Sequence, residues 1–240
     1  MIPDLGDRSL FPPFLELPED NGASSSSSSS SSATPADSNA VLLAQIKDNM
    51  TITKPTLVLT DRDGHGFALV FDGLDRDGLD LGKLGLKKGA TAVVRGARQT
   101  VPAARSNEQS AQPETLTAKA ARRQFLRIAP GQAHTVQAVP TGLEQTIAIA
   151  ATLRAQQTRT LAEGCSHCAA CGVSGSPGAA GAAAAAGAAE TQGLSIKKLL
   201  RCTGCGQAWY CDRACQTKGW SNGHKSECKA LKALSAIWSE

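Results

Sequence analysis

Short apolar runs alternate with polar turns through the first two thirds of the chain. T-L-V-L-T (56–60) and F-A-L-V-F (67–71) are compact and partly β-branched, and D-R-D-G-H-G (61–66) separates them. That order predicts strand, turn and strand. A-T-A-V-V-R (90–95), F-L-R-I (125–128) and T-V-Q-A-V (135–139) predict three further strands, with Gly89 and the Pro130-Gly131 pair supplying turns. V-L-L-A-Q-I (41–46) reads as a short helix or a leading segment. In 143–154 apolar residues fall at 143, 147, 150 and 153, the spacing of one helical face. Five short strands followed by a helix predict a small antiparallel sheet or barrel over 40–163, with an OB-like barrel as one option. The polar stretch 100–123 predicts a loop with a basic helical portion near Ala118 to Arg123.

Residues 1–39 predict a disordered tail. Ser24 to Ser32 is an unbroken serine run that cannot bury enough apolar surface to fold. Within the tail, L-F-P-P-F-L-E-L-P (10–18) is the one hydrophobic cluster and reads as a short docking motif.

Three features in 40–163 tempt a functional reading. D-R-D-G-H-G (61–66), with Asp72 in the twelfth position, approximates a calcium loop. His65 replaces an oxygen ligand there, Asp72 replaces the bidentate glutamate, and both flanks read as strands, so a hairpin turn is expected. D-R-D-G-L-D (75–80) reads as solvated turn chemistry rather than paired catalytic carboxylates. K-A-A-R-R (119–123) with Arg127 reads as a solvated basic face.

The last third carries the chemistry. All eight cysteines lie there, in C-A-A-C (168–171), C-T-G-C (202–205), C-D-R-A-C (211–215) and H-K-S-E-C (224–228), with Cys165 standing ahead of them. The four pairs offer seven thiols and one imidazole. Closed structural zinc sites take four ligands each, so eight fill two sites. Positions four apart share a helical face, which suits His224 with Cys228 and Cys211 with Cys215, where a helix is expected to begin near Asp212. Thiolates select zinc over calcium or magnesium. Disulfides are not expected, because the N-terminus lacks a basic region and apolar segment of the secretory kind.

C-A-A-C-G (168–172) and the run L-R-C-T-G-C-G-Q-A-W-Y-C-D-R-A-C-Q-T-K-G-W-S-N-G-H-K-S-E-C-K (200–229) resemble a MYND-type zinc finger. Tyr210 before the fifth ligand, the C-x-x-x-C-Q that follows and Trp220 ahead of H-x-x-x-C carry the likeness. The resemblance implies interleaved ligation, with Cys168, Cys171, Cys211 and Cys215 on one Zn2+ and Cys202, Cys205, His224 and Cys228 on the other. It covers about 165–230. The fold class implied is α+β: a β-rich domain over 40–163, a two-zinc finger over 164–230 and a C-terminal helix end over 231–240.

The chain departs from the family twice. An Ala/Gly-rich insertion at 174–193 lengthens the first spacer, which loop entropy tolerates because closure cost grows only logarithmically. Cys165 is the second departure. It forms its own C-x-x-C spacing with Cys168, and His167 also competes. Cys168 with Cys171 is the preferred pair because C-A-A-C-G matches the family opening.

Charge and composition narrow the function. The net charge is +4, and no apolar run approaches the roughly 18 residues of a membrane span. Aromatics make up 4%, with all three tryptophans and the one tyrosine between 209 and 238, so Trp209 and Trp220 are expected in the finger's small core. Between Leu194 and Lys232 eight basic residues face two acidic ones. Seven thiolates and two zinc ions carry a net −3, so half of that surplus offsets the metal sites, and a nucleic-acid surface is the weaker reading.

The resemblance implies an interaction module that binds a partner protein or a proline-rich P-x-L-x-P peptide in an intracellular setting, nuclear or cytoplasmic. P-F-L-E-L-P (13–18) has one residue too many to serve as that peptide. The alternative is a SET-type lysine methyltransferase fragment. The expectation is no catalysis, since closed sites keep no position for water and the twelve residues after Cys228 leave no room for a SET domain.

Overall fold

The computed structural model describes residues 1–20, 40–75, 78–100, 125–177 and 197–239. These form two compact units, Leu5–Glu144 and Met1–Asp4 with Gln145–Glu240.

The first unit is built on a seven-stranded sheet. Its strands are β1 (Val41–Asn49), β2 (Thr56–Thr60), β3 (Gly66–Phe71), β4 (Thr91–Arg95), β5 (Gln99–Thr100), β6 (Phe125–Ile128) and β7 (Val136–Val139), in the order β5-β6-β3-β2-β1-β4-β7. The expected strands at 56–60, 67–71, 90–95, 125–128 and 135–139 are present within a residue. V-L-L-A-Q-I is a correction: it is neither helix nor leading segment but the start of β1, paired antiparallel with both β2 and β4. Leu42, Leu43, Ala44 and Ile46 are all buried there. A strand covered on both faces has no period-2 signature, and a short apolar run of that kind looks the same as a buried helix. The arrangement is mixed rather than antiparallel, because β3 and β6 run parallel. No closure of β5 onto β7 occurs among the described residues.

The segment before residue 21 is the second correction. Leu5, Phe11, Phe14 and Leu17 are buried. The Phe14 ring stacks on Phe67 with centroids 4.1 Å apart. Gln99, itself buried, donates from Nε2 to the carbonyls of Phe14 (2.6 Å) and Leu17 (3.2 Å). The expected docking motif at 10–18 is therefore docked within its own unit. The serine run at 24–32 lies outside the described residues.

The 61–66 loop is the β2–β3 hairpin turn, as its chemistry predicts. Buried Asp61 accepts from the backbone N–H groups of Phe14, Asp63 and His65 at 2.8 to 3.0 Å. Asp72, the twelfth position of that loop reading, faces cationic side chains. It pairs with Lys54 (2.8 Å) and Arg127 (3.0 Å), so the Arg127 end of the expected basic face is neutralised. The 101–123 part of the expected loop, with K-A-A-R-R, lies outside the described residues.

The helix expected at 143–154 runs longer, as α1 over Leu143–Glu163. The division between the units falls in its first turn, so the helix belongs with the finger rather than closing a 40–163 domain. Ile2 donates from its backbone N–H to Gln157 Oε1 (3.0 Å), and Asp4 pairs with Arg154 (2.7 Å), which ties the first residues to α1.

Candidate metal centre

A four-stranded sheet and two helices position the ligands. The strands are β8 (Ser166–His167), β9 (Ser174–Pro177), β10 (Lys197–Arg201) and β11 (Trp209–Tyr210), in the order β11-β10-β9-β8. β9 pairs parallel with β10, so 174–177 belongs to the finger's own sheet rather than to the insertion. The remainder of the insertion, 178–193, lies outside the described residues. Helix α2 (Arg213–Gly219) follows β11, and α3 (Lys225–Ile237) ends the finger. The chain passes between these helices through Gly223, whose φ of 126° is left-handed and breaks the helical path. Ala230, Leu231, Leu234 and Ile237 form the buried face of α3.

Each C-x-x-C pair sits in a tight knuckle. Cys168 donates its N–H to Val173 O (2.9 Å), and its carbonyl accepts from Gly172 N–H (2.8 Å). Cys202 donates to Ala208 O (2.8 Å) and accepts from Gly206 N–H (2.9 Å). Both glycines have positive φ, 77° and 68°. Helix α2 begins where its chemistry predicts, with the Asp212 carboxylate accepting from Cys215 N–H at 2.7 Å.

Two four-ligand clusters result. Cys168, Cys171, Cys211 and Cys215 bring their Sγ atoms within 4.8 Å of one another, and so do Cys202, Cys205, His224 and Cys228 with three Sγ atoms and one ring nitrogen. A tetrahedral zinc with Zn–S bonds of about 2.3 Å sets its sulfurs about 3.8 Å apart. The second cluster fits closely: Cys202 Sγ is 3.9 Å from Cys228 Sγ, and His224 Nε2 is 3.6 Å from Cys205 Sγ and 3.2 Å from Cys202 Sγ. In the first cluster Cys171 Sγ and Cys211 Sγ are 3.4 Å apart. Gly204 leaves room for this packing, because a Cβ there would stand 2.9 Å from Cys228 Sγ. Cys165 belongs to neither cluster.

The protonation preferences fit a cation-filled site. Burial pushes Cys168 up, but the N–H groups of Ala170, Cys171 and Cys211 outweigh it and bring the thiol down to about 6. Burial likewise opposes Cys202, whose net shift is downward through the N–H groups of Cys205 and Gly204. The remaining shifted thiols go the other way. A hydrogen bond with Cys171 takes Cys211 up to about 11, while burial takes Cys215 and Cys228 to about 12. Crowded thiols resist shared ionisation until a dication compensates them. Burial also lowers His224, which keeps its ring neutral and free to ligate.

The aromatics divide differently from expectation. Tyr210 is the buried one, at 1% exposure, and meets His224 edge-on with centroids 6.0 Å apart. Gly219 lies so close that a Cβ there would stand 2.5 Å from Tyr210 Cε1. Trp220 does not fill the core: it is 42% exposed, touching His224 only by an edge contact at 5.8 Å. Trp209 lies partly exposed beneath the Arg201 guanidinium at 5.6 Å. Tyr210 thus takes the buried place against Gly219, while Trp209 is half-buried and Trp220 lies at the surface.

Residues 165–228 match the MYND finger family. The finger is similar to that of the human histone-lysine N-methyltransferase SMYD3, 50% identical over 40 residues, or 17% of this chain and 9% of that protein. It is also similar to that of the human histone-lysine N-methyltransferase SMYD1, 48% identical over 44 residues, or 18% of this chain and 9% of that protein. The chain thus spans about a tenth of the length of these relatives. Residues 165–228 are a MYND zinc finger, a two-zinc module of the kind that mediates protein–protein interaction. The family match begins at Cys165, while the ligand geometry begins at Cys168. No helix among the described residues is long and apolar enough to cross a membrane.

Proposed function

We propose that this chain is a non-catalytic regulatory module whose two zinc ions fix a small surface for a partner protein or a proline-rich peptide. The observation that carries this reading is the completeness of both ligand sets. Four protein ligands per ion leave no coordination position for water or substrate, which is the mark of a structural site. The surface chemistry supports it. Exposed Trp220 stands beside Ser221, Gly223, Lys225 and Ser226 around a shallow pocket of about 630 Å³. Tryptophan is enriched among the residues that anchor protein interfaces. An intracellular, reducing compartment, nuclear or cytoplasmic, suits a finger built on thiols.

Titration of the zinc-loaded chain with P-x-L-x-P peptides tests the reading. The expected result is saturable binding that Trp220→Ala weakens at least tenfold while both zinc ions stay bound. Absence of binding to every such peptide contradicts the peptide form of the proposal. The methyltransferase alternative rests on relatives that share the finger alone. Turnover above background in a methyl-transfer assay with histone substrates contradicts the non-catalytic reading.

A further inference from the structure

We propose a third, open metal site in this finger, built from Glu163, Cys165 and His167, for a borderline-soft divalent ion of the zinc class. The three donor atoms lie within 4.8 Å of one another, and none belongs to either four-ligand cluster. Local geometry explains the grouping. Glu163 is the last residue of α1, and Gly164, at φ 65°, turns the chain directly into extended backbone. Along extended backbone, alternate side chains share a face. Cys165 and His167 therefore project together, while Ser166 and Cys168 between and after them are buried at 3% each. Glu163 Oε2 faces both, at 2.8 Å from His167 Nε2 and 3.9 Å from Cys165 Sγ.

The donor set selects the metal. One thiol, one imidazole and one carboxylate are the three ligand types zinc uses, and the sulfur disfavours calcium and magnesium. Binding replaces the Cys165 thiol proton, released to solvent, with the metal bond. The second carboxylate oxygen, Oε1, accepts from Arg159 Nε at 2.8 Å, an outer contact that holds the carboxylate in place. That guanidinium also adds a positive charge, and Glu163 is exposed, so this site binds more weakly than the two closed ones. Three protein ligands leave a fourth position open to water or to a donor from another molecule. Cys165, surplus to the finger's ligand count, thereby has a role.

Cobalt titration of the full reduced chain, already holding its two zinc ions, tests the proposal. The expected result is one further equivalent of Co2+ with a charge-transfer band of thiolate origin and no zinc displaced. Cys165→Ser abolishes that equivalent and its band, and leaves two zinc bound. Glu163→Gln weakens it by about tenfold or more, as loss of even an outer contact does at other metal sites. A titration with no third equivalent overturns the proposal, as does one unchanged by Cys165→Ser. Loss of a tightly bound zinc in Cys165→Ser also overturns it, because Cys165 would then be a ligand of a closed site.

Discussion

Gly172 and Gly206 occupy the same place in two copies of one turn. Each follows the second cysteine of a C-x-x-C pair, each has left-handed backbone, and each returns its N–H to the carbonyl of the first cysteine, at 2.8 and 2.9 Å. The match pairs Cys168 with Cys171 as it pairs Cys202 with Cys205. A Cys165–Cys168 knuckle would put Ala169 in that place, and Ala169 instead donates its N–H to Trp209 O at 2.8 Å. A side chain in left-handed backbone costs roughly 1–2 kcal/mol. Gly172→Ala and Gly206→Ala should therefore each weaken zinc retention by about tenfold in chelator competition, at the first and the second cluster respectively.

Gly219 and Tyr210 make a second glycine-dependent contact. A methyl group on Gly219 would enter the Tyr210 ring, and the buried ring has no room to retreat. Overpacking of this kind costs about 1–3 kcal/mol. Gly219→Ala should lower the thermal midpoint of the zinc-loaded finger, and Gly219→Val should lower it further. An unchanged midpoint in both variants contradicts the packing described here.

Zinc affinity should rise steeply with pH. Each thiol must lose its proton to ligate, so protons and zinc compete for the same sulfurs. Cys168, held at about 6 before any metal arrives, gives up its proton readily, whereas Cys211, at about 11, and Cys215 and Cys228, at about 12, shed theirs only to the metal. The competition therefore acts across the whole window from pH 6 to 9. Retained zinc should fall from two per chain as pH drops toward 6, with the finger unfolding alongside, and an affinity flat across that window contradicts the proton competition.

Removing zinc should unfold one unit and spare the other. Structural zinc contributes on the order of 10 kcal/mol or more of binding free energy that is also folding free energy. The sheet of Leu5–Glu144 buries its own core, including Phe14, Leu57, Leu69, Phe71 and Leu126. Hydrogen exchange after chelation should show lost protection in 197–237 and retained protection in β1 to β4. Joint loss contradicts the independence of the two cores.

Much of this was legible in the sequence. The ligand pairs are local, and their spacing alone marks each pair, while the interleaving of the pairs into two sites is what the family resemblance implies. The Asp212 cap is a short-range signal of the same kind. Gly172 and Gly206 were equally readable, as the glycine that completes each C-x-x-C-G. Long-range pairing was not. β1 is covered on both faces, so its apolar run carries no period. Phe14 and Leu17 are held by Gln99, more than eighty residues away, and a proline-flanked run beside a serine tract gives no sign of such a partner. Tyr210 is buried against Gly219 while Trp220 lies at the surface, a division of the aromatics that their spacing does not reveal.

Metal content tests the central claim most directly. Pure, reduced chain, freed of loosely held metal by gel filtration in a weak chelator, should retain two zinc ions. Cys165→Ala should also retain two, and Cys171→Ser should retain one. One zinc or none in the parent chain contradicts the eight-ligand centre. Loss of a zinc from Cys165→Ala, with none lost from Cys171→Ser, contradicts the first knuckle.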